Sequence, residues 1–207
     1  MDSKKKQLRP LEVDEERVQE LRQRFLKWAP NIDAGRLVFI DEAGSHVAMT
    51  RASGWSPRGQ SVREAVPRNR GTAITMIGAL TVGGLTAMMT IEGGTSGDVF
   101  VAYVKHVLIP ELRDNDLVVM DNLGAHKDTR VRPLIEAAGA KIAYLPPYSP
   151  DLNPIELAWS KVKWWLGAAR ARTRDGIDEA LNTIMDLVTP ADAQAWFKHC
   201  GYRYQPT

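Results

Sequence analysis

Two short apolar runs in this chain each stop at an aspartate: Leu37-Val-Phe-Ile gives way to Asp41, and Leu117-Val-Val-Met gives way to Asp121. An uncharged run of that length reads as a strand buried on both faces, which sets each carboxylate where a strand leaves a sheet. Further on, Asn153-Pro154 offers an N-cap followed by proline at the first helical position, so that Glu156 falls in the first turn of a helix. Between Asp121 and Glu156 lie 34 residues. Strand ends and helix starts are rigid places from which to hang ligands, and three acids so placed can converge on a divalent cation.

Each acid alone has an ordinary explanation. The chain holds 25 acidic residues, and most such groups are solvated surface or helix caps. An aspartate after an apolar strand is common in α/β folds, where strand ends face the ligand-binding edge. Glu156 can return a capping-box hydrogen bond to Asn153. Glu42, next to Asp41, points to the opposite face of its strand, so one of the two can face a shared site. Together the three are harder to dismiss. Carboxylates that meet in a cleft repel one another and resist ionisation unless a cation holds them, and an all-oxygen set suits Mg²⁺ or Mn²⁺. Two such ions roughly 3.5 to 4 Å apart serve phosphoryl transfer, the chemistry of nucleases and strand-transfer enzymes. A strand ending at Asp121 also suits the phosphoacceptor of a receiver domain. That fold needs an acidic pair on its first strand and five parallel strands, whereas the first half here reads as hairpins.

Residues 1–35 form a charged arm or linker helix, with Val18, Leu21, Phe25 and Trp28 at helical spacing after a possible Asp14 cap, ending before Pro30. From Arg36 the chain turns to short strands. Segments 37–40 and 46–50 flank a turn at 42–45 and predict one hairpin; 72–80 and 85–91 flank Val82-Gly83-Gly84 and predict another. Thr95 or Ser96 caps a helix whose Val99, Phe100, Tyr103, Val104, Val107 and Leu108 share a face, closed by Pro110. A strand at 117–120, a helix at 128–138 with Gly139 after it, and a strand at 141–145 make a βαβ unit, right-handed by the general rule. Helices fill the remainder. The pattern predicts a three-layer α/β domain over 36–207, a mixed sheet with helices on both faces.

At 207 residues and 44% hydrophobic content the chain suits one domain with a real core. The lone Cys200 excludes a disulfide framework and a cysteine-based zinc site. No apolar run nears the roughly 18 residues of a membrane span and no signal peptide is visible, so a soluble cytoplasmic protein without a membrane partner is expected. A net charge of +2 is too small to imply nucleic acid unless the charges cluster, and they do. Residues 157–174 hold Lys161, Lys163, Arg170, Arg172 and Arg174 and no acid. In the helix they begin on, Ile155, Trp159, Val162, Leu166 and Ala169 face the core, while Glu156, Ser160, Lys163 and Arg170 form another stripe. A solvated face is the plain reading; contact with backbone phosphates is the one expected beside a metal carboxylate. Residues 51–70 carry Arg51, Arg58, Arg63, Arg68 and Arg70 against Glu64 alone, and read as a mobile basic loop. Its Trp55 either stacks on a base or anchors the loop to the core, anchorage being the expected role. Trp164, Trp165 and Trp196 are expected in packing. Asn122 and His126, which flank Asp121, either orient a phosphate or a water or hydrogen-bond within the turn.

The motifs Val38-Phe-Ile-Asp41-Glu42, Gly54-Trp55-Ser-Pro-Arg58-Gly59, Val119-Met-Asp121-Asn122-Leu-Gly-Ala-His126 and Leu145-Pro-Pro-Tyr-Ser-Pro-Asp-Leu-Asn-Pro-Ile-Glu156 resemble those of mariner-type transposases, specifically their bacterial insertion-sequence branch, number 630. The resemblance runs from about residue 36 to the C terminus. It implies a ribonuclease H-like fold, a five-stranded mixed sheet, and a catalytic triad of Asp41, Asp121 and Glu156 holding two Mg²⁺ or Mn²⁺ ions, with Asn122 and His126 in support. The implied activity is a DNA endonuclease that cuts transposon ends and transfers the strand into a target, commonly at a TA dinucleotide. Double-stranded DNA is the implied partner, met by Arg58 and the basic residues of 157–174, and the protein would be nucleoid-associated when bound. A homodimer is a further possibility. Family members carry an N-terminal pair of helix-turn-helix domains, and no such pattern precedes residue 36, so the expected unit is a catalytic half that works with that missing portion or a separate polypeptide. The rival readings are a nuclease of this fold that does not join ends, and a transposase-derived DNA-binding protein that no longer cuts.

Overall fold

Side chains along the first strand, β1 (Leu37–Ser45), sort by the period of two that a pleated strand imposes. Leu37 and Phe39 enter one buried cluster and Val38 and Ile40 another, so the strand must lie inside a sheet covered on both faces. This is the arrangement in a computed structural model of the protein, which describes residues 11–51 and 53–204. The other strands are β2 (Ile74–Thr81), β3 (Gly84–Glu92), β4 (Leu117–Met120) and β5 (Lys141–Tyr144). They order as β3-β2-β1-β4-β5, with β1, β2 and β3 antiparallel in turn and β1, β4 and β5 parallel.

The helices are α1 (Glu16–Trp28), α2 (Gly97–Tyr103), α3 (Val131–Ala137), α4 (Ile155–Ala169), α5 (Arg174–Leu187) and α6 (Pro190–His199). Phe100 and Tyr103 of α2 and Val131 and Ile135 of α3 cover the Val38 and Ile40 face. Side chains of α1, α4, α5 and α6 cover the Leu37 and Phe39 face. The expected mixed five-stranded sheet with helices on both faces is therefore present. Among the described residues no helix is long and apolar enough to cross a membrane.

The second expected hairpin forms as β2 and β3, but the first does not. β1 continues through Glu42, Ala43 and Gly44 to Ser45, pairing along its length with β2 in the register Asp41 to Gly78 and Ser45 to Ile74. The long apolar run of β2 outcompetes residues 46–50, which instead turn back through a Met49 N–H to His46 carbonyl bond of 3.2 Å and open an irregular excursion to residue 73. Gly78 leaves room for side chains of the neighbouring strand and of α4. A Cβ there would lie 2.3 Å from the Met88 sulfur and 3.1 Å from the Trp159 ring, so the bare backbone lets α4 seat on the sheet beside Asp41.

One helix boundary differs, and one helix changes form along its length. α3 begins three residues later than the pattern predicted, because the Asp128 carboxylate accepts from the Arg130 backbone and guanidinium and shapes a turn instead. α2 opens on Ser96, whose hydroxyl accepts from the Val99 N–H, and then widens into a π turn at Val104–Leu108 before Pro110.

The helix before residue 36 belongs to the same core. Its cap position is Glu15 rather than Asp14. Phe25 is buried against Trp28 at 5.2 Å and Tyr202 at 6.5 Å between ring centroids, and Arg22 bonds Ser149 at 2.7 Å and Asp151 at 2.7 and 3.0 Å. Tyr202 in turn donates to the Leu152 carbonyl at 2.6 Å. Both ends of the described chain thus brace the loop that leads into α4. The first ten residues of the expected arm lie outside the described residues.

Phe25→Ala should lower the free energy of unfolding by about 3 kcal/mol while leaving a single cooperative urea transition. An unchanged midpoint would mean that α1 is a detached arm after all.

Candidate active site

Parallel pairing aligns Val38 with Val118 and Phe39 with Val119, and two residues beyond that last pair stand Asp41 on β1 and Asp121 just past the end of β4. Both are odd-numbered with Phe39 and Val119, so both project toward the layer that contains α4. That helix buries Ile155, Ala158, Trp159, Val162 and Leu166 in the same cluster, which leaves Glu156 exposed at its mouth. Asp41, Asp121 and Glu156 line one cleft of about 450 Å³, closed on one side by the Leu145 to Asn153 loop.

Asp41 is 8% exposed and accepts from the Glu42 N–H at 2.8 Å and the Asn153 amide at 3.1 Å. Burial, and then the nearby Glu156 charge, push its carboxyl up to about 7, with Asp121 and Glu42 adding to the rise and the Glu42 N–H opposing it. Asn153 spends its side chain on Asp41, and its own Oδ1 is buried without a partner. No side-chain cap exists at the start of α4, so the capping-box explanation of Glu156 is not realised. The Glu156 carboxylate makes no hydrogen bond or ion pair among the described residues.

Asp121 is half-buried. It accepts from the Leu123 N–H at 2.8 Å, and the Nδ1 of His126 lies 2.7 Å from the same oxygen. His126 is fully buried, its ring 4.4 Å from that of Phe100, and its Nε2 stands 3.1 Å from the Glu42 carboxylate. Burial works against protonation of this imidazole, but the close contacts with the Asp121 and Glu42 carboxylates overcome it and raise the pKa to about 9, although Nδ1 lies off line for a geometric hydrogen bond to Asp121. An imidazolium therefore joins Asp121 to Glu42 at neutral pH, and Asp121 is held below the ordinary carboxylate range against its own burial. Alternation correctly sends Glu42 to the far face. It is tied to the site through His126, a link that no local pattern reveals. Asn122 donates to the Leu145 carbonyl at 2.6 Å and so fastens the ends of β4 and β5, and it lines the cleft beside Asp121.

Among the described residues no three acid, imidazole or thiol groups are drawn together in a ready-made metal cage. Two of the three cleft acids are turned to local donors, and the third lies extended into solvent.

Four of the five basic residues of 157–174 make ion pairs within the fold. Lys161 pairs with Asp192 at 2.7 Å, and Arg174 bonds Asp178 and the Thr90 hydroxyl. Arg172 donates to the Val47 and Met49 carbonyls at 3.0 and 2.8 Å. Glu64 reaches Arg170 at 2.9 Å and Arg172 at 3.6 Å while accepting from the Thr50 hydroxyl at 2.6 Å, which clasps the excursion after β1 onto the end of α4. Local sequence shows no acid because the partners come from α5, α6 and the excursion. Lys163 is exposed and unpaired among the described residues, on the Glu156 stripe as expected, and Arg58 is likewise free in the exposed part of the excursion. Ala169, expected toward the core, is exposed in the last turn of α4.

The tryptophans also depart from expectation. Trp55 is fully exposed and anchors nothing. Trp164 is half exposed, with the Arg51 guanidinium 4.5 Å above its ring and Trp165 edge-on at 4.9 Å. Trp196 packs beside the core as expected.

Residues 36–178 match the family model described as DDE superfamily endonuclease. Among solved structures, the Mos1 transposase paired-end complex with left transposon end superimposes with a TM-score of 0.73 at 15% identity, covering 98% of this chain and 68% of that one. The Mos1 mariner paired-end complex with Mn gives 0.73 at 18% identity, covering 97% and 63%. The catalytic domain of Mos1 mariner transposase gives 0.60 at 14% identity, covering 89% and 85%. At such identities the likeness is one of fold, the ribonuclease H-like arrangement that the motifs imply. No curated protein matches the chain.

The raised Asp41 pKa carries a stability signature with a definite sign. The native state holds this proton more tightly than the unfolded chain, whose value is 3.8, so the group costs nothing below pH 4 and destabilises progressively as the pH rises toward 7. In metal-free protein, Asp41→Asn should abolish that fall. It should exceed the parent chain at pH 8 by at most roughly 4 kcal/mol and match it near pH 3.5. Asn153, flipped to present its unpartnered Oδ1, can accept from the new amide. Parallel pH profiles of the two proteins in urea would show that Asp41 is not strained in the cleft.

Proposed function

The chain belongs to the DDE superfamily of endonucleases, and from that premise we propose that it is the catalytic part of a mariner-type transposase of the bacterial insertion-sequence branch, one that cuts DNA at transposon ends and joins the freed end to a target. The convergence of Asp41, Asp121 and Glu156 on one cleft carries this reading. Recognition of the transposon ends falls, in this reading, to a helix-turn-helix portion outside these 207 residues; the chain spans 68% and 63% of the two longer transposase chains.

The donor set fits divalent metal. Three carboxylates line one cleft, and Asp41, raised to about 7 first by burial and then by the Glu156 charge, is a carboxyl whose ionised form a cation would stabilise. Asp41 and Asp121 would hold Mg²⁺ or Mn²⁺ with Glu156 completing the set, and two such ions supply Lewis acidity to the attacking and departing oxygens. Asp41 would bind the metal in its ionised form. Asn153 keeps Asp41 turned into the cleft, and the His126 imidazolium fixes one oxygen of Asp121 so that the other remains available. In cutting, water adds to phosphorus and the bond to one sugar oxygen breaks, leaving a phosphate and a hydroxyl end. In joining, a freed DNA hydroxyl takes the place of water, and no side chain becomes bonded to DNA.

Lys163 is the cation best placed to orient the substrate. It follows Glu156 by seven residues on the same stripe, roughly 10 Å along the helix axis, near enough to meet a phosphate flanking the one that reacts. Arg58 would add a second contact from the excursion.

Asp41→Asn, Asp121→Asn and Glu156→Gln should each reduce Mg²⁺-dependent cleavage and joining of pre-cut ends by more than about 100-fold, and each should weaken Mn²⁺ binding by calorimetry. Near-parental activity in any one removes that residue from the proposed triad. For DNA binding, Lys163→Ala should flatten the salt dependence of duplex affinity by about 0.9 in slope. Neutralising Lys161, Arg172 or Arg174 should instead lower the melting temperature, and the opposite pattern would reassign the phosphate contacts.

A further inference from the structure

A second groove, of about 560 Å³, adjoins the catalytic cleft and shares Asn122, Leu145, Pro146 and Pro147 with it. One wall is α1 and the other is β5, the edge strand of the sheet. On α1 the residues Arg17, Leu21, Arg24 and Trp28 recur at spacings of four, three and four, so guanidinium and apolar groups alternate along the wall. Lys127 and Tyr144 face them.

The three cations are not neutralised by the fold. Arg17 has no partner among the described residues, and Arg24 approaches Glu20 only at 3.9 Å with both side chains exposed. The Lys127 ammonium stands 6.0 Å from the centroid of the Tyr144 ring. Cations that track a backbone, set among rings and apolar side chains that take bases, are the requirements of a single-strand nucleic-acid groove. The volume falls within the roughly 300 to 1,000 Å³ of small-ligand pockets, which suits a nucleotide-sized segment and excludes a duplex. An added peptide strand is disfavoured by charge, since β5 opens on the exposed Lys141 and the facing wall is cationic.

We propose that this groove receives a single-stranded segment of the DNA substrate as it leaves the catalytic cleft, its phosphates along Arg17, Arg24 and Lys127 and a base against Trp28 or Tyr144. The inference rests on DNA being the substrate. Tyr144 also donates to the His126 carbonyl at 3.1 Å, so the groove wall is fastened to the residue that orients Asp121.

The test compares a blunt duplex with the same duplex carrying a short single-stranded extension, both bound to the 207-residue chain and read by fluorescence anisotropy. The extension should tighten binding by about 10-fold, and an abasic extension should recover only part of that gain. In Arg17→Ala/Arg24→Ala the gain should disappear and the salt slope for the extended DNA should fall by about 1.4, while blunt-duplex affinity and cleavage stay at parental levels. Equal binding of the two DNAs by the parent chain, or an undiminished gain in the double variant, overturns the groove alone. A parent chain that binds neither DNA overturns the DNA reading and the groove together. If the double variant keeps the gain but loses self-association in sedimentation, the groove holds a second copy and the proposal is wrong.

Discussion

Everything at the candidate site depends on the parallel pairing of β1 with β4. Those two strands meet in the middle of the sheet although about 70 residues separate them in sequence, and their register alone decides whether Asp41 and Asp121 are neighbours. A slip of one residue would send one carboxylate to the opposite face, where α2 and α3 lie. Burial on both sides enforces the register, since Phe39 and Val119 share one apolar cluster and Val38 and Val118 the other. The Gly78 gap then admits Trp159, and α4 seats with Glu156 at the cleft.

Holding acids together in a half-dry cleft is unfavourable, and the fold distributes the cost unevenly. Asp121 is stabilised as an anion by an imidazolium that is itself kept charged by Glu42 from the far side of the sheet. Asp41 has only an amide and one N–H, and its carboxyl rises to about 7. Two neighbouring aspartates thus differ: one is held in its anionic form and oriented, the other is raised to about 7 by burial and the Glu156 charge. That asymmetry suits a site assembled by metal rather than before it.

Positive charge follows a similar division. Arg172 is consumed by carbonyls and Glu64, and with Arg170 it holds the excursion after β1 against α4. Lys163 remains free one stripe away. A stretch that looks uniformly basic is therefore mostly mortar, with Lys163 the open cation on the Glu156 face among the described residues and a separate free set along α1 and Lys127.

How much of this was legible before folding follows from the range of the interactions involved. The strands ending at Asp41 and Asp121, the β2 and β3 hairpin, the βαβ order and the helix starting near Glu156 were all visible, because each is written in local periodicity and turn chemistry. The motifs around the three acids also pointed to the family and its sheet. The false hairpin at 46–50 arose because local turn signals cannot see that β2 offers β1 a longer partner. Glu42 was discounted for the same reason, since its link to Asp121 passes through His126, 84 residues away. Pairing of Lys161 with Asp192, the exposure of Trp55, and the docking of α1 beside β5 were likewise decided by contacts between distant segments. Sequence by itself determined which chemical groups stand at strand ends and helix starts, as these depend on neighbours a few residues away; tertiary structure alone decided which charges meet and which stay free, because electrostatic partners are chosen by distance in space.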